Sequence, residues 1–243
     1  MSKTLIITGA GRGIGAATAK LAAQYGYAVA VNYHRNQAAA YAVVERIRKD
    51  GGTAEAIQAD VSTEAGVLQL FAEADRLLPS LAALVNNAGI LEPQTTVEHI
   101  TVDRLQRLLA ANTIGPFLCC REAIKRMSPG SAIVNVSSLA ARTGAPNEYV
   151  DYAASKAALE ALTIGLSKEV AHRGIRVNGV RPAFIYTDIH ADGGEANRVD
   201  RIKASIPLQR GGQPEEVAEA ILWLLSGKAS YATGTFIDLA GGK

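Results

Sequence analysis

The 243-residue chain has only two cysteines, one tryptophan and 5% aromatic residues, and its 25 basic side chains nearly cancel its 23 acidic ones, for a formal net charge of +2. Each shortage excludes something. The two cysteines, Cys119 and Cys120, are adjacent, which suits neither a disulfide nor zinc-ligand spacing and predicts two small, buried apolar side chains. A balanced charge sets up no field that would hold a polyanion, and scarce aromatics leave few platforms for stacking bases. No stretch approaches the roughly 20 apolar residues that span a bilayer, and the apolar run behind Met1 is too short for a secretory signal. The expectation is a cytoplasmic protein with a small-molecule substrate and no metal, membrane or nucleic-acid partner.

What the chain does have is a rhythm. With 48% apolar and 20% charged residues it has the composition of an ordinary folded protein. Short runs rich in β-branched residues at 4–8, 28–32, 53–58, 81–86, 132–137 and 176–181 alternate with helix-forming segments at 13–25, 38–49, 64–78 and 97–127. A helix at 214–226 and a strand at 235–239 close the series. Near-continuous apolar strands indicate a sheet covered on both faces, and strand alternating with helix indicates parallel pairing through right-handed crossovers. No linker or repeat interrupts the alternation, so residues 1–243 are read as a single domain. The fold class is α/β, a Rossmann-type doubly wound parallel sheet flanked by helices on both faces. Residues 185–212, with Gly193, Gly194, Pro207, Gly211 and Gly212, are the least periodic stretch. A loop of that length is usually functional, often a lid, with a plain surface excursion as the alternative.

After the first strand the chain runs Thr8-Gly9-Ala10-Gly11-Arg12-Gly13-Ile14-Gly15 into an Ala-rich helix. Glycines there let the backbone turn tightly and approach a pyrophosphate, which the helix amides and dipole favour. Ile14 stands where a third glycine would complete the usual dinucleotide pattern, and Ala16 stands where a P-loop needs lysine. The bland alternative is a tight turn without a ligand. The second strand ends Asn32-Tyr33-His34-Arg35, with no carboxylate to accept from a ribose 2′-hydroxyl. Arg12 and Arg35 instead suit a 2′-phosphate, which favours NADP and leaves NAD possible; as solvated surface residues they would mean nothing.

Farther along, Tyr152 and Lys156 stand four residues apart on a helical stretch and so share one face. A phenol with a pKa near ~10 gives up its proton poorly unless a neighbouring cation stabilises the phenolate, and Lys156 is spaced to be that cation. A surface Tyr/Lys pair is the ordinary reading of such a spacing taken alone. Ser137 and Ser138 follow the strand at 132–136, and Asn86-Asn87-Ala88-Gly89 ends another, so both groups sit at carboxyl ends of parallel strands, where ligand sites form.

These pieces together resemble the short-chain dehydrogenase/reductase family over essentially the whole chain: TGAGRGIG at 8–15, Asp60-Val61, NNAG at 86–89, Asn112, NVSS at 135–138, YAASK at 152–156, RVNGVRP at 176–182 and Thr233-Gly234. The resemblance implies hydride transfer between NADP(H) and a carbonyl or alcohol carbon. Tyr152 would be the general acid/base, Ser138 would bind the substrate oxygen, Lys156 the nicotinamide ribose and the tyrosine, and Asn112 would hold a water in a proton relay. It implies a cofactor site of Gly9, Gly11, Arg12, Gly13, Ile14, Gly15, Asn32, Arg35, Asp60, Val61, Asn87, Ala88, Gly89, Pro182 and Thr187, shared with Tyr152 and Lys156. It also implies a homotetramer built on the helices at 97–127 and 152–172, where Ala153, Ala157 and Ala161 would permit close approach.

The chain departs from the family pattern in a Ser138–Tyr152 spacing one residue longer than usual, a competing phenol at Tyr149, Ala183 in place of a glycine, and Ala240 in place of an aspartate. A sugar, a polyol or a small ketone is the expected substrate. A 3-oxoacyl thioester is the alternative, for whose anionic carrier Arg198, Arg201 and Lys203 would be the partners unless they form a solvated helix face. An alternative of another class is a non-catalytic nicotinamide-binding sensor.

Overall fold

The computed structural model describes residues 3–243. Its centre is a seven-stranded, wholly parallel sheet: β1 Lys3–Ile7, β2 Tyr27–Tyr33, β3 Thr53–Gln58, β4 Leu81–Asn86, β5 Ala132–Val136, β6 Arg176–Pro182 and β7 Phe236–Leu239, in the spatial order β3-β2-β1-β4-β5-β6-β7. The order reverses between β1 and β4, and a crevice opens outside the carboxyl ends of the strands at such a reversal. The strands lie within a residue or so of the segments anticipated from the sequence.

Alternation along the strands makes two separate cores. Leu5 and Ile7 of β1 face one side with Val29 and Val31 of β2, against helices α1 Gly13–Gln24 and α2 Gln37–Lys49. Ile6, Ala28 and Ala30 face the other side, against Phe71 of α3 Glu64–Leu77. Side chains at successive positions point to opposite faces, so a strand buried on both sides reads as uninterrupted apolar sequence. Cys119 and Cys120 are buried in the second core, as expected of small apolar residues, and burial pushes both thiols up.

The helix anticipated at 97–127 is interrupted. Thr101 caps α4 Val102–Leu109 by accepting from the Arg104 amide at 3.3 Å; a π-helical turn, Ala110–Ile114, follows, and α5 Gly115–Arg126 resumes with Pro116 in its first turn. Proline has no amide to give the preceding turn and tolerates only a helix start, so the wider turn falls just before it. Gly115 is needed there: a Cβ on it would come 2.5 Å from the Val61 carbonyl oxygen.

The remaining helices are α6 Ala140–Thr143, α7 Val150–Val170, α8 Ile189–Asp192, α9 Arg198–Ile202 and α10 Pro214–Leu225. The stretch 185–212 is thus not structureless. It is an excursion holding α8 and α9, and its two ends are joined by a parallel bridge between Ile185 and Gly212. None of the helices among the described residues is long and apolar enough to cross a membrane.

Candidate active site

The glycine-rich turn is shaped by its own backbone. Gly9 adopts φ +63°, a conformation L side chains avoid. Gly15 packs so close to the turn that a Cβ would lie 2.6 Å from both the Gly9 carbonyl oxygen and Asn87 Nδ2. Two side chains tie this turn to the end of β4. The Thr8 hydroxyl accepts from the amides of Asn87 and Ala88, each at 3.0 Å, and Asn87 Nδ2 donates to the carbonyls of Thr8 at 2.9 Å and Gly9 at 3.0 Å.

From this turn a cavity of about 1200 Å³ runs along the carboxyl edge of the sheet to Tyr152. Gly9, Gly11, Arg12, Gly13, Ile14, Arg35, Asp60, Val61, Asn87, Ala88, Gly89, Ser138, Tyr152, Lys156, Pro182 and Thr187 all line it. Two anticipated site residues do not. Gly15 is consumed by packing the first turn of α1. Asn112, fully buried in the π-helical turn, lies behind Gly89: its Oδ1 accepts from the Ile90 amide at 2.8 Å, and its Nδ2 donates to the Ile90 carbonyl at 3.0 Å and to Ser155 Oγ at 3.1 Å. A Cβ on Gly89 would fall 3.2 Å from Asn112 Oδ1 and 3.3 Å from Lys156 Nζ, so glycine keeps that approach open.

Asn32 also serves the scaffold. It touches the cavity, yet Oδ1 accepts from the Gly9 amide at 3.2 Å and Nδ2 donates to the carbonyls of Ile57 at 3.3 Å and Ala59 at 3.1 Å. Its polar atoms hold β2, β3 and the glycine turn together, and Arg35 lines the cavity beside it. Arg12 is also engaged, by Asp192 of α8 and, at 4.0 Å, by Asp188. Asp60, at the end of β3, would be pushed up by burial, but hydrogen bonds from the Ser62 hydroxyl and amide, with His34 and Arg35 nearby, hold it below the usual carboxylate range.

At the opposite end the two serines and the two tyrosines differ in their partners. Ser137 is buried and donates to Glu160 at 2.8 Å, whereas Ser138 hydrogen-bonds the Tyr152 phenol. Tyr149 is buried with its hydroxyl on the Gly193 carbonyl at 3.2 Å. Lys156 Nζ lies 5.7 Å from the Tyr152 ring centroid and donates to the Val136 carbonyl at 2.9 Å. Burial dominates both groups: it pushes the phenol up to about 12, against the Ser138 hydrogen bond, and the ammonium down to about 8. Ala183, in the glycine's usual place, is not among the non-glycine residues with positive φ and donates normally to Leu239 at 3.1 Å, so it imposes no strain.

A profile of the family described as enoyl-(acyl carrier protein) reductase matches residues 9–243. The chain belongs to the short-chain dehydrogenase/reductase family. It is 61% identical over 243 residues, 98% of each chain, to an uncharacterized oxidoreductase, YgfF, of Escherichia coli K12. A dehydrogenase/reductase from Sinorhizobium meliloti superposes with a TM-score of 0.94 at 34% identity, over 100% of this chain and 95% of that one. The angucycline C-6 ketoreductase LanV, solved with bound NADP, superposes with a TM-score of 0.88 at 33% identity, over 99% of this chain and 95% of that one. The chain is thus an oxidoreductase of this family, one that acts on carbonyl or alcohol groups.

Several contributors escaped the sequence reading: Thr8, which staples two turns; Ser155, which joins Asn112 to the Tyr152 carbonyl at 2.7 Å; and the Arg104–Asp151 pair under the start of α7. Thr8 lies within TGAGRGIG and Ser155 within YAASK, but spacing alone does not give their partners, and Arg104 and Asp151 lie outside every quoted motif. Arg198, Arg201 and Lys203 are not a free cationic face either. Arg198 is buried on Glu148, Arg201 pairs with Glu195, and Lys203 with Asp200 at 2.9 Å.

Proposed function

We propose that this chain transfers a hydride between NADP(H) and a carbonyl or alcohol substrate, with Tyr152 giving the proton to the oxygen in reduction and taking it in oxidation. One observation carries the reading: a single cavity joins the glycine turn to a phenol flanked by Ser138 and a buried lysine. The residues fit a nicotinamide dinucleotide, because the turn at Gly9 leaves no side chain in the way and the amino end of α1 favours an anion. The bound nicotinamide would supply or take up the hydride.

Gly11, Gly13 and the first turn of α1 would hold the pyrophosphate, and Arg35, with Arg12 when released from Asp192, the 2′-phosphate. Asp60 and Val61 would flank the adenine, while Asn87 to Gly89, Lys156, Pro182 and Thr187 would flank the nicotinamide half. At neutral pH a phenol near 12 and an ammonium near 8 are both protonated, the state in which Tyr152 can donate and Lys156 can stabilise the oxyanion left behind. Asn112 acts from behind, fixing Ile90 and Ser155.

Leu91, Leu139, Phe184, Ile185 and Ile189 wall the substrate end, which favours a ketone over a sugar or polyol. The pairing of Arg198, Arg201 and Lys203 removes the feature that suggested an anionic acyl carrier. Exposed Val102, Leu105, Leu109, Ile114 and Phe117 along α4 and α5 support association of copies through these helices, with a homotetramer as the expected assembly. The test is NADPH oxidation against ketones, quinones, sugars and 3-oxoacyl thioesters. Turnover of ketones that Tyr152→Phe abolishes, with NADPH still bound, is the expected result; tight NADPH binding with no turnover of any class would instead indicate a sensor.

A further inference from the structure

Six arginines and lysines line the cavity: Arg12, Arg35, Arg107, Lys156, Arg198 and Lys243. Three of them are spent on carboxylates, Arg12 on Asp192, Arg107 on Glu92 at 2.8 Å and Arg198 on Glu148. Arg35, Lys156 and Lys243 have no carboxylate within 4.0 Å among the described residues. In the function proposed above, Arg35 meets the 2′-phosphate and Lys156 meets the nicotinamide half and Tyr152. Lys243 is the cation left over.

A turn of two glycines delivers it. Gly241 and Gly242 take φ +63° and +94°, which L side chains avoid. The Leu208 amide donates to the Gly241 carbonyl at 3.0 Å and the Lys243 amide to the Ala240 carbonyl at 3.2 Å, so this segment is pinned to the excursion that borders the cavity. Lys243 Nζ then lies 5.5 Å from the ring centroid of Phe184, which walls the substrate end. Its hydrogen-bond partner is the neutral Ser205 hydroxyl, at 2.7 Å. An ammonium has three donors, so two are unused. The residue is exposed, and its flexible four-carbon stem lets the ammonium turn from Ser205 to a ligand in the cavity.

We infer that Lys243 is a specificity-determining residue whose ammonium pairs with a carboxylate on the ketone, so that keto acids are the preferred substrates. The inference rests on the function proposed above. No spare carboxylate on the same wall opposes it: Glu148 is held by both terminal nitrogens of Arg198, whose guanidinium stands 5.6 Å from the same Phe184 ring. One unpaired cation balances one negative charge, which suits a carboxylate better than a doubly charged phosphate ester. Leu91, Leu139, Ile185 and Ile189 would take the carbon chain between the carboxylate and the reacting carbonyl, and apolar surroundings strengthen the attraction between the two charges.

The full chain is assayed with NADPH on keto acids and on their methyl esters: levulinate, 4-acetylbutyrate and 4-benzoylbutyrate, which differ in reach and bulk. The wild type should show a higher kcat/KM for at least one acid than for its ester, and that preference should shrink as salt is added. Lys243→Met should lower the acid-to-ester ratio about fivefold, the scale of an exposed ion pair, whereas Lys243→Arg should keep it. Three results overturn the inference: esters preferred throughout by the wild type, a ratio that Lys243→Met leaves unchanged, or an equal loss on acid and ester with weaker NADPH binding, which would assign Lys243 to the cofactor. Each of these, with ketones still turned over, leaves the proposed function standing. If no ketone is reduced, acid or ester, the proposed function falls and takes the inference with it.

Discussion

Arg104 and Asp151 form a buried ion pair one residue ahead of Tyr152: Nε lies 2.5 Å from Oδ2, and the same carboxylate accepts the Tyr152 amide at 2.9 Å. A third nitrogen of the guanidinium reaches the Pro93 carbonyl at 2.6 Å. One side chain of α4 thus fixes both the start of α7 and the segment that follows β4. Removing a single partner leaves the other charge buried and unpaired. Arg104→Met should therefore cost roughly 3–5 kcal/mol of stability, and Arg104→Met with Asp151→Asn should recover much of it. Urea denaturation of the three variants checks this; additive losses would mean the pair is not a unit.

Lys156 should give stability a distinctive pH dependence in the cofactor-free protein. Burial holds its ammonium at about 8, whereas in an unfolded chain it titrates near ~10.4. Between those values the unfolded chain binds more protons, so this group makes the fold more stable as pH rises. The buried thiols of Cys119 and Cys120 do the reverse, because the fold keeps them protonated. The informative quantity is the difference between wild type and Lys156→Met, which should grow in favour of the wild type by roughly 1.4 kcal/mol per pH unit across that window. Thermal or urea unfolding from pH 7 to 11 measures it, and a constant difference would show that Lys156 stays charged when buried.

The pairing of Arg12 with Asp192 and Asp188 competes with any role on a 2′-phosphate. Asp188→Asn with Asp192→Asn should release the guanidinium and tighten NADPH binding by up to about fivefold, the scale of an exposed ion pair. NADH, which lacks the 2′-phosphate, should bind unchanged. Calorimetric titration with both dinucleotides decides, and an equal gain for both would assign the effect to lid motion.

Gly15→Ala should be poorly tolerated although the residue does not line the cavity. The added methyl would meet the Gly9 carbonyl and Asn87 Nδ2 at 2.6 Å, so the turn must shift. A loss of about 1–3 kcal/mol is expected for such overpacking, with a weakened NADPH affinity, read by denaturation and by fluorescence titration.

The parts of the molecule that repeat a pattern were readable from sequence. Strands buried on both faces advertise themselves as apolar runs, and the i,i+4 pair of Tyr152 and Lys156 needs only a helix to be true. The parts that depend on who meets whom were not. Asn32 sits at a strand tip that can serve ligand and scaffold alike, and only the placement of Gly9, Ile57 and Ala59 reveals the scaffold bonds it makes. The helix at 97–127 read as continuous since propensity says little about a single wide turn, although Gly115-Pro116 marked the spot.

The bridge between Ile185 and Gly212 has an evolutionary consequence. The backbone there closes like a stem, with the Tyr186 amide on the Gly212 carbonyl at 3.0 Å and the Gly212 amide on the Phe184 carbonyl at 2.9 Å. With its two ends clamped to each other, the intervening chain can lengthen, shorten or be replaced wholesale at a closure cost that grows only slowly with length. The sheet beneath would scarcely register the exchange. Such a cassette would let one scaffold reshape its cavity by swapping a single insert, while Tyr152 and the glycine turn are inherited untouched.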